Sequence, residues 1–569
     1  MRQRRLRKIT SLGIAALLTI TLACTSVAKP LPTIKPKADT FVLHVDNEPF
    51  VIIGGQTMNS SPFDLEYMKT VWPRMKDFNA NTLIVPISWQ AVEEVEDVYD
   101  FSLVDGLVKQ ARAHDMKMVM LWFGTWKNAR SFYPPDWVIS DMDRFKRMES
   151  ARGQKIEYLS TFSENTLEAD SEAFAAFMRH LKEIDAEEQT VLMVQIQNEV
   201  GLLGDTRDRS AVANRAFADP VPQELMDYLM ANKSHLKPHL LALWGAKGFP
   251  TKGNWTEVFG RGKATDEIFM AWQYATYINH IAQQGKAEYA LPMFVNAWLG
   301  QEAKGVPGKY PSGGPVARVM DIWKAGGPNL DLLAPDIYAF FKERVADFRR
   351  DDNPLLIPEA TPMWLGDRYS APALAFYAIG EGHALGFGPF GLDFPLYDED
   401  HPIGVAYETL QNLMPEIIKA YGTPNLRGVL KEGDEKETHL AIGPYAFNIR
   451  YQPEVEHGYG LILRTGKNQF IIAGNGIRVI FAPENPQRHP GISVGMVEEG
   501  KLDSNGAWQR RRLTGGGETI GAAGVKLPPL GFGLLHNRNH ITTMRVNLFL
   551  HPEDTGDRIE YSPDTEPEF

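Results

Sequence analysis

The chain is poor in cysteine: Cys24 is the only one in 569 residues. An internal disulfide framework is therefore excluded, as is a cysteine nucleophile in the body of the chain. The one Gly-x-Ser-x-Gly string, Gly491-Ile-Ser-Val-Gly495, lies in the β-rich C-terminal part without the strand-to-helix setting of a nucleophile elbow, so serine-hydrolase chemistry is not indicated. Gly515-Gly-Gly-Glu-Thr-Ile-Gly521 lacks the Lys-Ser/Thr of a phosphate-binding loop and reads as a turn. His235 and His239 stand four apart, but Pro238 lies between them and no glutamate does, so a metalloprotease helix is excluded and no metal is expected. Positive charge is scarce. The formal net charge is −12, and the five positive residues Arg2, Arg4, Arg5, Arg7 and Lys8 leave −17 on the chain beyond residue 23. Nucleic acid is not a partner for such a surface.

Long apolar runs are also few. Ile9–Ala23 is one, behind the basic stretch Arg2–Lys8. It is shorter than the ~20 residues needed to span a bilayer and reads as residues 1–23 of an export signal. Ile20-Thr-Leu-Ala-Cys24 is similar to a bacterial lipobox, and a rival cleavage site follows Ser26-Val-Ala28. The expectation is an exported protein, periplasmic or held on the outer membrane by a lipid on Cys24. Residues 24–38 read as a linker.

What is present is apolar and aromatic. Hydrophobic residues make up 44%, enough for more than one core, and eleven of the 12 Trp precede residue 365. Eight near-continuous apolar runs follow one another: 50–55, 82–87, 118–123, 191–197, 292–298, 331–338, 354–360 and 384–390. Continuous rather than alternating runs suit strands buried on both faces. Helical periods lie between them, as in Phe174, Phe177, Met178, Leu181 and Ile184, and over 64–78, 223–244 and 407–421. The expected fold is α/β, a (β/α)₈ TIM barrel over 39–424, entered through a short hairpin at 39–49. The long stretch 201–291 should add helices and a loop over the mouth, with 201–210 as its lid. After residue 424 short β-like runs separated by turns predict a C-terminal antiparallel β-sandwich, 425–569.

Two glutamates end apolar runs: Glu199 in Gln195-Ile-Gln-Asn-Glu-Val-Gly201 and Glu359 in Leu355-Leu-Ile-Pro-Glu-Ala360. A carboxyl at the tip of a buried strand is costly unless it is paired or used. Counting strands places them on the fourth and seventh, facing across the C-terminal mouth, where two carboxyls about 5 Å apart can perform retaining glycoside hydrolysis. Strand parity sends Gln195 and Gln197 inward with Glu199. It sends Asn198 outward unless the strand ends irregularly, which Val200-Gly201 allows.

The Asn-Glu pair resembles the acid/base motif of clan A glycoside hydrolases. Trp89 with Val92-Glu93-Glu94 and Tyr99-Asp100-Phe101 resembles the second-strand segment of β-galactosidases of families 35 and 42. Leu121-Trp-Phe-Gly-Thr-Trp-Lys127 followed by Pro134-Pro-Asp-Trp137 is similar to the same group. The likeness covers roughly residues 40–420. The added sandwich points to the bacterial branch of family 35, although this chain has Gln-Asn-Glu where many family 35 members have Glu-Asn-Glu.

Carried over by position, the resemblance implies Glu199 as acid/base, Glu359 as nucleophile and Asn198 as a ligand of the sugar 2-hydroxyl. Tyr338 would donate to Glu359, and Asn296 and Trp298 would face the −1 sugar. Trp122, Trp126 and Trp364 would be stacking platforms, with core packing as their alternative. Glu93 and Glu94 read as solvated loop charges. No cofactor is implied, and the partner is a galactosylated oligosaccharide of plant cell walls. A β-glucosidase, a mannanase or a non-catalytic glycan-binding lipoprotein are the rival readings, and a homodimer is left open.

Overall fold

Eight parallel strands form one sheet in the computed structural model, which describes residues 29–299, 305–361, 370–394, 401–503, 505–515, 517–521, 523–530 and 540–552. The expected export segment, Cys24 and Trp364 lie outside the described residues. The strands are β1 (Ile52–Gln56), β2 (Thr82–Ser88), β3 (Lys117–Lys127), β4 (Val191–Asn198), β5 (Met293–Trp298), β6 (Leu332–Ile337), β7 (Glu359–Ala360) and β8 (Gly386–Phe387). Their order in the sheet is β7-β6-β5-β4-β3-β2-β1-β8. The Ile357 amide donates to the Gly386 carbonyl at 3.1 Å and the Gly388 amide to the Ile357 carbonyl at 2.9 Å. These bonds join the two ends of the sheet, so the barrel is closed.

One principal helix follows each strand: α1 (Leu65–Asp77), α2 (Ser102–Ala113), α3 (Glu164–Asp185), α4 (Lys263–Glu288), α5 (Met320–Gly326), α6 (Phe341–Phe348), α7 (Ser370–Gly380) and α8 (Pro402–Ala420). Asp64 caps α1 by accepting from the Glu66 and Tyr67 amides, which satisfies donors the first turn leaves open. The expected single helix over 223–244 is two, Gln223–Ala231 and Pro238–Gly245. Proline has no N–H to continue a helix but suits its first turn, so Pro238 opens the second one. The 201–210 segment is pinned rather than a free lid: Arg209 bridges Asp205 at 3.0 Å and Asp266 at 2.9 Å.

The barrel interior is packed with Ile52, Ile84, Val119, Leu121, Leu192, Phe294, Leu332, Leu356 and Leu385. Leu43 and Val45 join this cluster from below. They belong to a three-stranded antiparallel sheet of Thr33–Lys37, Thr40–Val45 and Glu48–Phe50. Part of the expected linker is therefore a strand: Thr33–Lys37 pairs along its whole length with Thr40–His44. With its N-terminal end plugged, the barrel opens only where the strands end, at the face that carries active sites in such barrels.

The C-terminal part is two antiparallel sheets. One holds six strands and the other four. The first four strands of this part are β9 (Leu426–Leu430), β10 (Glu437–Ile442), β11 (Tyr445–Tyr451) and β12 (Tyr459–Arg464). Between the sheets lie Phe447, Ile449, Phe470, Ile472, Val479, Met544 and Val546, all buried. The six-stranded sheet is buried on its other face as well. Leu426, Leu461, Leu463, Ile471 and Ala473 fall in the same apolar cluster as Phe376 of α7 and Leu410 and Leu413 of α8. Contact is close enough that a Cβ on Gly380 would lie 3.1 Å from the Gly428 Cα.

This seam makes the two parts one folding unit. Leu461→Ala should destabilise the protein by about 2–4 kcal/mol, the usual range for a cavity in a core. Denaturant unfolding, followed by Trp fluorescence for the barrel and far-ultraviolet dichroism for the whole chain, should shift as one coincident transition. Early loss of the sandwich alone would contradict the shared core.

Candidate active site

The end of β4 leaves regular strand geometry. Gln197 and Glu199 have φ of 62° and 48°, and the intervening Asn198 stays buried. Left-handed backbone costs a non-glycine residue about 1 kcal/mol, so neighbours must hold it. The loop after β3 does so. There the Asn128 amide donates to the Asn198 carbonyl at 3.1 Å and the Ala129 amide to the Glu199 carbonyl at 3.0 Å. The break in parity turns Gln197 away from the mouth. Its amide donates to Asp170 of α3 at 2.6 Å, so it does not lie beneath Glu199 as simple alternation predicts.

Glu199 is gripped from two sides. Asn128 Nδ2 donates to Glu199 Oε2 at 2.6 Å. The Glu199 backbone amide donates to Asn296 Oδ1 at 2.8 Å, and Asn296 Nδ2 donates in turn to Asp336 Oδ2 at 2.6 Å. Asn296 thus spends its amide on protein groups and positions the site, because the kinked β4 end presents an amide to it. The Asn198 side chain is 1% exposed and reaches toward the Glu199 carboxyl, whose ionised form it favours, without either polar atom attaining hydrogen-bond geometry among the described residues. An unpaired buried amide is a costly arrangement that an incoming hydroxyl would relieve.

Glu359 sits across the mouth on β7. The Tyr338 hydroxyl, just past β6, donates to its Oε1. The Gln56 amide at the end of β1 reaches toward the same carboxyl without attaining hydrogen-bond geometry. Oxygens of Glu199, Asp336 and Glu359 all lie within 4.8 Å of one another, and all three residues are buried. Asp336 is a site residue that the strand-end reading missed. Leu332 and Ala334 fill the barrel interior, so parity sends Asp336 and Tyr338 to the same side. The signal was in Ala334-Pro-Asp-Ile-Tyr338 but was spent on the tyrosine alone.

Three carboxyls in a dry pocket cannot all be ionised. Burial pushes Glu199 up to about 7, with the charge of Glu359 adding to the rise and Lys127 opposing it. Burial also raises Glu359, against the lowering effects of Lys127 and the Tyr338 hydroxyl. Asp336 is held well above the usual carboxylate range by burial and by both glutamates. Its Oδ1 meets no donor, and its interaction with Glu199 raises Asp336 while lowering Glu199, as for a protonated Asp336 donating to its neighbour. Lys127, 5% exposed at the tip of β3, supplies the nearby positive charge. Oxygens this close could also ligate a hard cation. Asn128, Asn296, Tyr338 and Lys127 already compensate them here, which favours proton chemistry.

The tryptophans divide. Trp298 ends β5 with 36% exposure, at the mouth. Trp122 and Trp126 are fully buried and are not stacking platforms. Trp122 alternates with the interior residues Leu121 and Phe123, so it points outward, packing on Phe174 and Phe177 and donating to Asp170 at 2.8 Å. Trp126 packs edge-on against Tyr274 and Tyr277 and donates to the Leu159 carbonyl at 3.1 Å. Glu93 is not a solvated charge either. It is 2% exposed and accepts from Trp89 at 2.7 Å and from the Asp97 amide at 2.8 Å. Glu94 is exposed.

A barrel with carboxyls on its fourth and seventh strands has the construction of a clan A glycosidase. Residues 62–245, which include Asn128, Asn198 and Glu199, match the family model of glycoside hydrolase family 42, described as β-galactosidase. Residues 403–523 match a domain of unknown function (DUF5597). The matched barrel segment is thus of the glycoside hydrolase class. It favours family 42 of the two families the sequence resembles, and the expected assignment to family 35 gains no support. No curated protein matches the chain.

Among solved structures, a β-galactosidase from the psychrophilic Marinomonas ef1 is similar at 11% identity and TM-score 0.44, with 64% of this chain and 60% of that one covered. A β-galactosidase from Bacillus circulans sp. alkalophilus gives 13% and 0.43, covering 64% and 56%. An endo-1,4-β-mannanase from Rhizomucor miehei gives 12% and 0.39, covering 63% and 89%. The chain spans less than two thirds of either β-galactosidase, and likenesses of this size fix neither reaction nor substrate.

The ionisation of Glu199 has a stability consequence. Its folded value of about 7 exceeds the ordinary 4.5, so the folded state keeps a proton that the unfolded chain has released. Stability from that proton is full below about 4.5 and is lost as pH rises through 7. Glu199→Gln, which cannot ionise, should therefore be more stable than the parent at pH 8, by up to about 3 kcal/mol, and nearly equal to it at pH 4. Thermal melting at the two pH values measures this, and an unchanged difference would contradict it.

Proposed function

We propose that this protein is a retaining exo-β-galactosidase that releases terminal β-galactosyl residues from plant cell-wall oligosaccharides. The observation that carries the retaining reading is the approach of Glu199 and Glu359 oxygens within 4.8 Å. Retaining enzymes hold their carboxyls ~5–5.5 Å apart, whereas inverting ones leave ~6.5–9.5 Å for a water. The β-galactosidase reading rests on the family 42 match over the acid/base segment.

In this mechanism Glu199, protonated below about pH 7, gives its proton to the glycosidic oxygen as the bond to the anomeric carbon breaks. Glu359 attacks the opposite face of that carbon and forms a covalent glycosyl ester. Lys127 and Tyr338 help keep Glu359 ionised for the attack. Glu199, now a carboxylate, takes a proton from water, which cleaves the ester and regenerates Glu359. The Asn198 amide would hold the 2-hydroxyl, a contact that strengthens as positive charge builds on the ring.

First-formed sugar from an aryl β-galactoside should be β-galactose by proton NMR, and α-galactose would sink the retaining mechanism. Glu359→Ala should lower kcat by at least ~10⁴-fold, and with azide it should give α-galactosyl azide. Glu199→Ala with azide should give the β product. Activity on aryl glucosides or mannosides but not galactosides would transfer the reading to a β-glucosidase or mannanase.

We also propose export with a lipid on Cys24, on the strength of residues 2–24. Mass spectrometry of the mature N-terminus should find a diacylglyceryl cysteine. An unmodified terminus at Lys29 would instead mean cleavage after Ala28.

A further inference from the structure

A cleft of about 550 Å³ lies between the barrel segment after β6 and the sandwich. One wall is Ile337–Phe341 with Thr361, so the cleft begins beside Tyr338, whose hydroxyl holds Glu359. The other wall is made by two turns of the sandwich: Lys431–Asp434, between β9 and β10, and Glu456–His457, between β11 and β12. The walls are tied together. Glu432 accepts from the Phe341 amide at 2.6 Å, and Lys342 meets Glu435 at 2.6 Å and the Leu430 carbonyl at 3.3 Å.

Phe340 stands in this cleft with 51% of its surface exposed. Its φ is 55°, a costly value for an aromatic residue, and it immediately precedes the amide that Glu432 holds. The sandwich contact thus helps keep a large apolar ring in a polar cleft. Such a ring among carboxylates suits a pyranose, whose C–H face stacks on an aromatic while its hydroxyls donate to acids. Glu432, Asp434 and Glu456 on the far wall would repel a uronic acid and accept from a neutral sugar. Lys431 sets one positive charge against these three carboxylates, and its ammonium donates to the Val455 carbonyl at 2.7 Å.

We propose that the barrel–sandwich cleft is a leaving-group subsite for the second and third residues of a neutral oligosaccharide, with Phe340 as its stacking platform and the 431–434 turn as its outer wall. This rests on the glycosidase reading above and adds what the sandwich does for it.

The test compares β-galactosyl fluoride, whose leaving group fills none of the cleft, with a neutral galactosyl-capped tetrasaccharide. Phe340→Ala should lower the tetrasaccharide-to-fluoride ratio of kcat/KM about tenfold, the scale of one aromatic contact. Asp434→Lys, at an exposed turn position, should lower it about threefold and should raise relative use of a tetrasaccharide whose second residue is a uronic acid. An unchanged ratio in both variants overturns the subsite while leaving the glycosidase reading intact. If the parent protein hydrolyses neither substrate, the glycosidase reading fails and the subsite falls with it.

Discussion

Among the described residues, everything at the mouth of this barrel follows from enclosing three carboxyls with one lysine where water is scarce. Coulomb repulsion forbids three neighbouring charges there, so the protons must be shared unequally. Asp336 keeps one most firmly, Glu199 binds one near neutral pH, and Glu359 is the carboxyl that lysine and tyrosine favour in its ionised form. On the proposed mechanism, a donor and a nucleophile are thereby separated by environment although their chemistry is identical.

The fold exists to hold that unequal sharing still. Asn128, Asn296 and the left-handed end of β4 fix Glu199 through both its backbone and its side chain. Those contacts come from the ends of two strands and one loop, so displacement of any of them disturbs the acid. The plug beneath the barrel and the sandwich beside it work at a distance. One closes the end that has no chemistry, and the other is welded through the apolar seam against α7 and α8.

Much of this was legible in the residues. Continuous apolar runs gave eight strands, and the glutamates at their tips gave Glu199 and Glu359, because burying an acid leaves a mark in the pattern. Parity failed at one place, the end of β4. Gln197 turns outward because the backbone leaves strand geometry there, and the departure depends on the β3 loop, far away in sequence. Trp122 was misread by chemistry where parity was right: it alternates with inward residues and belongs to the helix layer. Asn128 carried no strand-end signature, since it lies in the loop beyond β3 and meets Glu199 only after folding. Asn296 was placed correctly at the mouth, but its partners come from β4 and β6, which composition cannot reveal.

The surplus of carboxyls over lysine has a bearing on inhibitors. If the pocket works as proposed and stabilises positive charge on a sugar ring, it should also welcome a ring that carries that charge permanently. A protonated imine or amine shaped like the sugar would find Glu359 ionised opposite its cation, and its capture would draw the remaining protons toward Asp336 and Glu199. Such a compound would be held through proton linkage as well as shape, so its affinity would report the charge state of the pocket itself.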